Sequence, residues 1–227
     1  MTTAPYRTRI KICGLTREAD VDAAVQAGAD AIGFVLYPQS PRFVSAHRAA
    51  ELSRRLPAFV TPVLLFVNEI TPNIIASLAI NTGAVAQFHG NESPEDCAAT
   101  GHRHMRAARI PTAPGAPGFD LLEYAARYPL AHAILLDALV DGFGGGGKTF
   151  DWTAFNWSHP QLNASARLVL SGGLTPANVA DGIRAVYRCG LSLAVDVSSG
   201  VESAKGIKDS DKIRAFVAAV RNTALAV

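Results

Sequence analysis

Apolar residues along this chain fall into two rhythms that alternate from one end to the other. Runs such as Ala31-Ile32-Gly33-Phe34-Val35, Pro62-Val63-Leu64-Leu65-Phe66-Val67 and Ala133-Ile134-Leu135-Leu136 are apolar at nearly every position. Runs of that kind are strands covered on both faces. Between them, apolar positions recur every three or four residues, as at Val21, Ala24 and Val25, the mark of a helix with one buried side. The pattern predicts strands at 9–13, 31–35, 62–67, 85–88, 103–109, 133–136, 167–170 and 193–195. The fifth is polar for a strand. Helices are predicted over 17–27, 45–56, from 71, 93–100, 119–128, 151–155, 175–187 and 205–224. Thr16, Ser45 and Ser93 stand where N-caps belong, and Pro72 and Pro176 suit a first turn. Eight strands, each followed by a helix, predict an α/β fold, a (β/α)8 TIM barrel of parallel strands forming one domain over residues 1–227. A doubly wound open sheet is the alternative. It usually carries a glycine fingerprint after its first strand, and Cys13-Gly14-Leu15 is not one.

Composition narrows the picture. The 227 residues are 49% hydrophobic and 18% charged, enough for a large core without a linker between domains. The net charge of +2, with its basic residues dispersed, predicts no nucleic-acid partner. Cys13, Cys97 and Cys189 are odd in number and widely spaced, which argues against a disulfide framework and a zinc site. No leader pattern and no apolar stretch of about 20 residues is present, so the expectation is a cytoplasmic protein with no membrane contact. Oligomeric state is not legible.

In a barrel of this kind chemistry gathers at the C-terminal ends of the strands. Those positions are Cys13, Arg42, Gln87, His89, Asp137, the turn Ser171-Gly172-Gly173 and the run Asp196-Val197-Ser198-Ser199-Gly200. The loops after strands seven and eight often hold phosphate on bare amides, and Gly172, Gly173, Ser199 and Gly200 suit that task. Asp137 follows four apolar residues, surroundings that would keep a carboxyl protonated. Arg42, between Pro41 and Phe43, could fork onto a carboxylate. His89 reads as a hydrogen-bonding fixture. Cys13 reads either as a small buried hydrophobe or as a reactive thiol at a strand end. Gly142 to Thr149 has the spacing of a phosphate-binding P-loop, yet it follows no strand directly and is read as an active-site loop.

Seven segments then point one way. Lys11-Ile12-Cys13-Gly14-Leu15-Thr16, Ser40-Pro41-Arg42, Gln87-Phe88-His89-Gly90, Leu136-Asp137, Gly147 to Trp152, Ser171-Gly172-Gly173-Leu174 and Asp196 to Glu202 together resemble the phosphoribosylanthranilate isomerases of tryptophan biosynthesis, from about residue 8 to about residue 220. Phe88 departs from that family's usual leucine, and 103–117 matches least. The resemblance implies an Amadori rearrangement of a small phosphorylated substrate without metal or cofactor. By that likeness Asp137 is the general acid and Cys13 the general base. Arg42 holds the anthranilate carboxylate. Gly172, Gly173, Ser199 and Gly200 hold the phosphate, while Gln87, His89 and Asp196 line the sugar. A helix N-terminus after Gly14 is the expected activator of the thiol. Related barrels are disfavoured: the histidine-pathway isomerase is expected to carry aspartate at position 13. Indole-glycerol-phosphate synthase, which would want a lysine acid near there, is excluded only weakly because Lys11 shares a face with Cys13. A regulatory, non-catalytic barrel would lack one of Cys13 and Asp137.

Overall fold

The computed structural model describes residues 7–112, 118–139, 152, 167–186 and 192–223. Its centre is a closed barrel of eight parallel strands in chain order: β1 (Arg9–Cys13), β2 (Ala31–Val35), β3 (Thr61–Phe66), β4 (Val85–Phe88), β5 (His104–Ile110), β6 (Ala133–Ala138), β7 (Arg167–Leu170) and β8 (Ser192–Val197). β8 pairs back onto β1, with Lys11 opposite Asp196. Outside run α1 (Glu18–Ala27), α2 (Ala46–Ser53), α3 (Thr71–Ile80), α4 (Pro94–Ala99), α5 (Leu121–Arg127), α6 (Val179–Val186) and α7 (Ser210–Arg221). The (β/α)8 expectation stands.

Side-chain alternation along each strand explains the layering. Ile10 and Ile12 of β1, Ile32 and Phe34 of β2, and Leu64 and Phe66 of β3 point outward into the main core under the helices. Their neighbours turn into the barrel. There Cys13, Val35, Leu65 and Val67 form one small cluster, and Ala107, Leu135 and Val169 another.

Several predicted boundaries move. Thr16 does not cap α1; its hydroxyl donates to the Gly206 carbonyl (3.1 Å), and Arg17 occupies the cap position without a side-chain capping bond, its guanidinium donating to Asp20. Ser45 and Ser93 do cap, accepting from the amides of Arg48 and Asp96 at 3.1 Å each. Residues 175–178 are a turn, held by Asn178 Oδ1 on the Thr175 amide (2.7 Å), so the helix predicted from Thr175 begins at Val179. The closing helix begins at Ser210 and not at 205, because β9 (Glu202–Ala204) and β10 (Ile207–Lys208) form a small antiparallel hairpin first. Gly206 makes its turn at φ +78°, and Asp209 accepts from the amides of Asp211 and Lys212 to start α7. The predicted loop 142–147, all of the helix at 151–155 save Trp152, most of 111–118 and the end of the helix at Tyr187 lie outside the described residues.

Candidate active site

Cys13 ends β1 facing the barrel interior and is 4% exposed. Gly33 stands opposite it on β2, and a Cβ there would come within 2.6 Å of its sulfur, so the glycine makes room for the thiol. Gly14 follows at φ +77°; a Cβ on it would lie 2.5 Å from Arg42 Cδ. The stem of Arg42 therefore crosses directly over the residue next to the thiol. Both glycines are needed for close approach.

The head of Arg42 is already engaged. Its Nε and Nη2 donate to Glu202 Oε1 and Oε2 at 2.7 and 2.8 Å, a buried bidentate pair. Lys208 Nζ donates to the same carboxylate (2.8 Å) and to the carbonyl of Ser198 (3.0 Å). A guanidinium has a second edge, Nη1 with Nη2, and no acceptor among the described residues takes Nη1. Arg42 is thus half committed: one edge fixes it and the other can meet a carboxylate. Arg42, Lys208 and Glu202 together carry one more positive charge than negative, which favours an anionic ligand. Burial opposes the Glu202 charge, but the Arg42 fork and Lys208 hold its carboxyl below the usual range.

A second group of residues spans β4 and β6. Gln87 Nε2 donates to His89 Nδ1 (3.0 Å), which leaves the Nε2 hydrogen of His89 to donate to Asp137 Oδ2, also at 3.0 Å. Asp137 Oδ1 accepts the amide of Ala138 at 2.9 Å. The hydrocarbon pocket expected around Asp137 is not its surroundings. Ile134 and Leu136 face the outer core, and the carboxyl itself is met by an imidazole and an amide. It also lies within β6, which runs to Ala138 because β5 continues to Ile110 alongside. His89 is held from behind. Arg106 donates to the carbonyls of Phe88 and Gly90 (3.0 Å each), and its partner Glu92 accepts the amides of Gly90 (2.9 Å) and Asn68 (2.7 Å). Neither Arg106 nor Glu92 stands out in the sequence; the available signal is a charged residue, Arg106, inside a strand frame.

The turns after β7 and β8 touch each other. A Cβ on Gly200 would lie 1.9 Å from the Leu174 carbonyl, so the two backbones are in direct contact there. Gly172 and Gly173 both have positive φ, and their amides donate to no acceptor among the described residues. Ser199 and Gly200 open a 3-10 turn beside them. Amides left uncovered on adjoining turns suit an anion. Asp196, expected on the sugar, has Oδ1 taken by Lys11 Nζ at 2.9 Å inside the barrel. Among the described residues no group of three or more His, Cys, Asp or Glu side chains is gathered as metal ligands would be. No described helix is long and apolar enough to cross a membrane.

Comparison with known proteins adds the following. Residues 10–219 match the family model described as N-(5'-phosphoribosyl)anthranilate isomerase. A protein of that name from Methylibium petroleiphilum is 56% identical over 215 residues, covering 95% of this chain and 94% of its own. One from Dechloromonas aromatica is 55% identical over 219 residues, with 95% and 97% covered. Among solved structures, phosphoribosyl anthranilate isomerase from Thermotoga maritima superposes with a TM-score of 0.79 at 38% identity, covering 94% of this chain and 98% of that one. Another, in complex with reduced 1-(o-carboxyphenylamino)-1-deoxyribulose 5-phosphate, gives 0.76 at 36% identity with the same coverage.

Proposed function

This chain belongs to the N-(5'-phosphoribosyl)anthranilate isomerase family, and from that premise we propose how its residues divide the rearrangement of tryptophan biosynthesis. The observation that carries the reading is the pairing of two different proton-handling groups on one barrel rim: a thiol at the end of β1 and a carboxyl with its imidazole between β4 and β6. Asp137, entering the reaction as the protonated carboxyl with His89 Nε2–H bonded to the oxygen that does not carry the proton, delivers that proton to the furanose ring oxygen. The C1'–O bond breaks, and the anthranilate nitrogen takes up the electron deficit as a Schiff base. The Cys13 thiolate then removes the proton on C2', giving an enolamine that tautomerises to the ketone. Two groups with opposed tasks need surroundings that differ, and here one has a lysine beside it and the other a histidine.

Substrate binding follows from charge. The outer edge of Arg42 faces the anthranilate carboxylate, and the amides of Gly172, Gly173, Ser199 and Gly200 take the phosphate. Gln87 acts by orienting His89, while Asp196 reaches the sugar only with the oxygen that Lys11 leaves. The chain's activity is tested by fluorescence, following consumption of freshly made N-(5-phosphoribosyl)anthranilate by the purified protein. Steady consumption is expected, and a folded protein that leaves the signal unchanged refutes the assignment.

The phosphate site has its own test. Inorganic phosphate should compete with substrate and raise the melting temperature, as any ligand of the native state does. Ser199→Asp, which sets a negative charge among those amides, should abolish the protection and raise KM by about tenfold or more, a loss of roughly 1.4 kcal/mol of binding. Protection that survives the substitution would move the phosphate elsewhere.

A further inference from the structure

Lys11 is a charged residue in an unusual place. It lies between Ile10 and Ile12 on β1, and alternation turns it into the barrel on the same face as Cys13. Its side chain is 4% exposed, and that of Asp196, its partner across the β1–β8 pairing, is 6% exposed. Cys13 lies two positions on along the same strand and on the same face, so the ammonium and the thiol share the barrel interior and the charge of each bears on the other. A lysine buried in such a space tends to lose its proton. Here burial opposes the charge, but the Asp196 carboxylate and the thiol together raise its affinity for the proton above the ordinary lysine value.

We propose that Lys11, kept charged by Asp196, sets how readily Cys13 ionises, and is thereby a positioning residue for proton abstraction. The proposal rests on the reading of Cys13 as base. Among the described residues, few charged groups bear on the thiol. Lys11 comes from β1 and Asp196 from β8; Lys208 comes from β10, tied to Glu202 of β9, which holds Arg42 from the loop after β2. Asp196 opposes a thiolate, but its Oδ1 is spent on Lys11. Lys208 is spent on Ser198 and Glu202. Lys11 is left as the cation that can exchange its bond to Asp196 for one to sulfur.

Burial drives the Cys13 thiol up, and the Lys11 ammonium is the foremost influence pulling it back. Both directions matter. A thiolate that forms too easily is a weak base, and one that hardly forms is rarely available; catalysis wants the compromise. The helix N-terminus expected to activate the thiol is not needed for this. α1 begins at Glu18, five residues on, and its first turn carries Glu18 and Asp20.

A purely structural role, stapling the first strand to the last, would not alter a titration. Lys11→Met, Lys11→Arg and Lys11→Met/Asp196→Asn are compared with the parent; the double variant removes the carboxylate that Lys11→Met strands. Each is also made with Cys13→Ala, so that subtraction removes Cys97 and Cys189 from the ultraviolet thiolate absorbance. The Cys13 midpoint should rise by about one pH unit or more in both methionine variants, a tenfold loss of thiolate at neutral pH. Lys11→Arg should restore most of it. A midpoint unmoved in the double variant overturns the proposal. The acid limb of kcat/KM should shift upward with the titration. If the titration moves and the limb stays, the thiol is not the base while the hold of Lys11 on it stands.

Discussion

Cys13→Ala and Asp137→Asn are each expected to lower turnover by about 100-fold or more while leaving the protein folded, the loss typical of removing a general acid or base. Asparagine is chosen because it keeps the shape of the carboxyl: its one carbonyl can still accept the Ala138 amide, and only the donor from His89 is left facing an NH2. Alanine at position 13 removes one sulfur from a small cluster with Val35, Leu65 and Val67, at a cost of roughly 1 kcal/mol. Affinity for a product analogue should persist, because the carboxylate and phosphate contacts are untouched. The acid limb of the kcat/KM profile should vanish in Cys13→Ala, since that limb reports thiolate formation. Circular dichroism on the same preparations separates lost chemistry from lost fold. Full turnover in either variant would remove that residue from the reaction.

Glu202→Ala should be the most destabilising single change near the site. It leaves Arg42 and Lys208 buried without their shared counter-charge. Breaking a buried pair from one side costs about 3–5 kcal/mol. At roughly 2–4 °C per kcal/mol for a domain of this size, the melting temperature should fall by about 10 °C. KM should rise as well, because Arg42 loses the edge contact that fixes it. Glu202→Gln should do less damage, since an amide oxygen still accepts from the guanidinium. The pairing also has a pH signature. The folded carboxyl titrates below its unfolded value, so its contribution is complete above about pH 4.3, the ordinary glutamate value, and fades as acid protonates the folded form. Melting curves between neutral and acid pH should therefore converge between parent and Glu202→Gln. Parallel curves would show that the ion pair adds nothing.

The barrel was legible because strands covered on both faces announce themselves. The fifth strand was visible only in outline, since His104 and Arg106 turn outward where a hydrocarbon side chain is usual. Glu92, two hydrogen-bonded carbonyls and the Tyr128 ring make Arg106 acceptable there. The hairpin over 202–208 was hidden because strands of three and two residues carry too little pattern, although Asp209 ahead of Ser210 marks where α7 starts. Residues at strand ends could be named from the fold alone. What they bond to could not. Arg42 and Glu202 are 160 positions apart, and no local pattern links them. Asp137 shows the other limit: four apolar neighbours in sequence said nothing about the imidazole arriving from β4.

The seam between β1 and β8 has a consequence for how activity is acquired. Lys11 and Asp196 are 185 residues apart and meet only when the last strand docks against the first. Intermediate species with seven strands in place would contain most of the helix of the native protein, α7 being the part still missing, yet present an ammonium with no carboxylate partner beside the thiol and an arginine with no anchor. Pairings between such distant segments form late, because their loop entropy is lost before any contact repays it. During synthesis the catalytic centre therefore cannot mature until β8 and the hairpin have left the ribosome. During refolding, enzyme activity reads out ring closure itself and lags behind the recovery of helical signal.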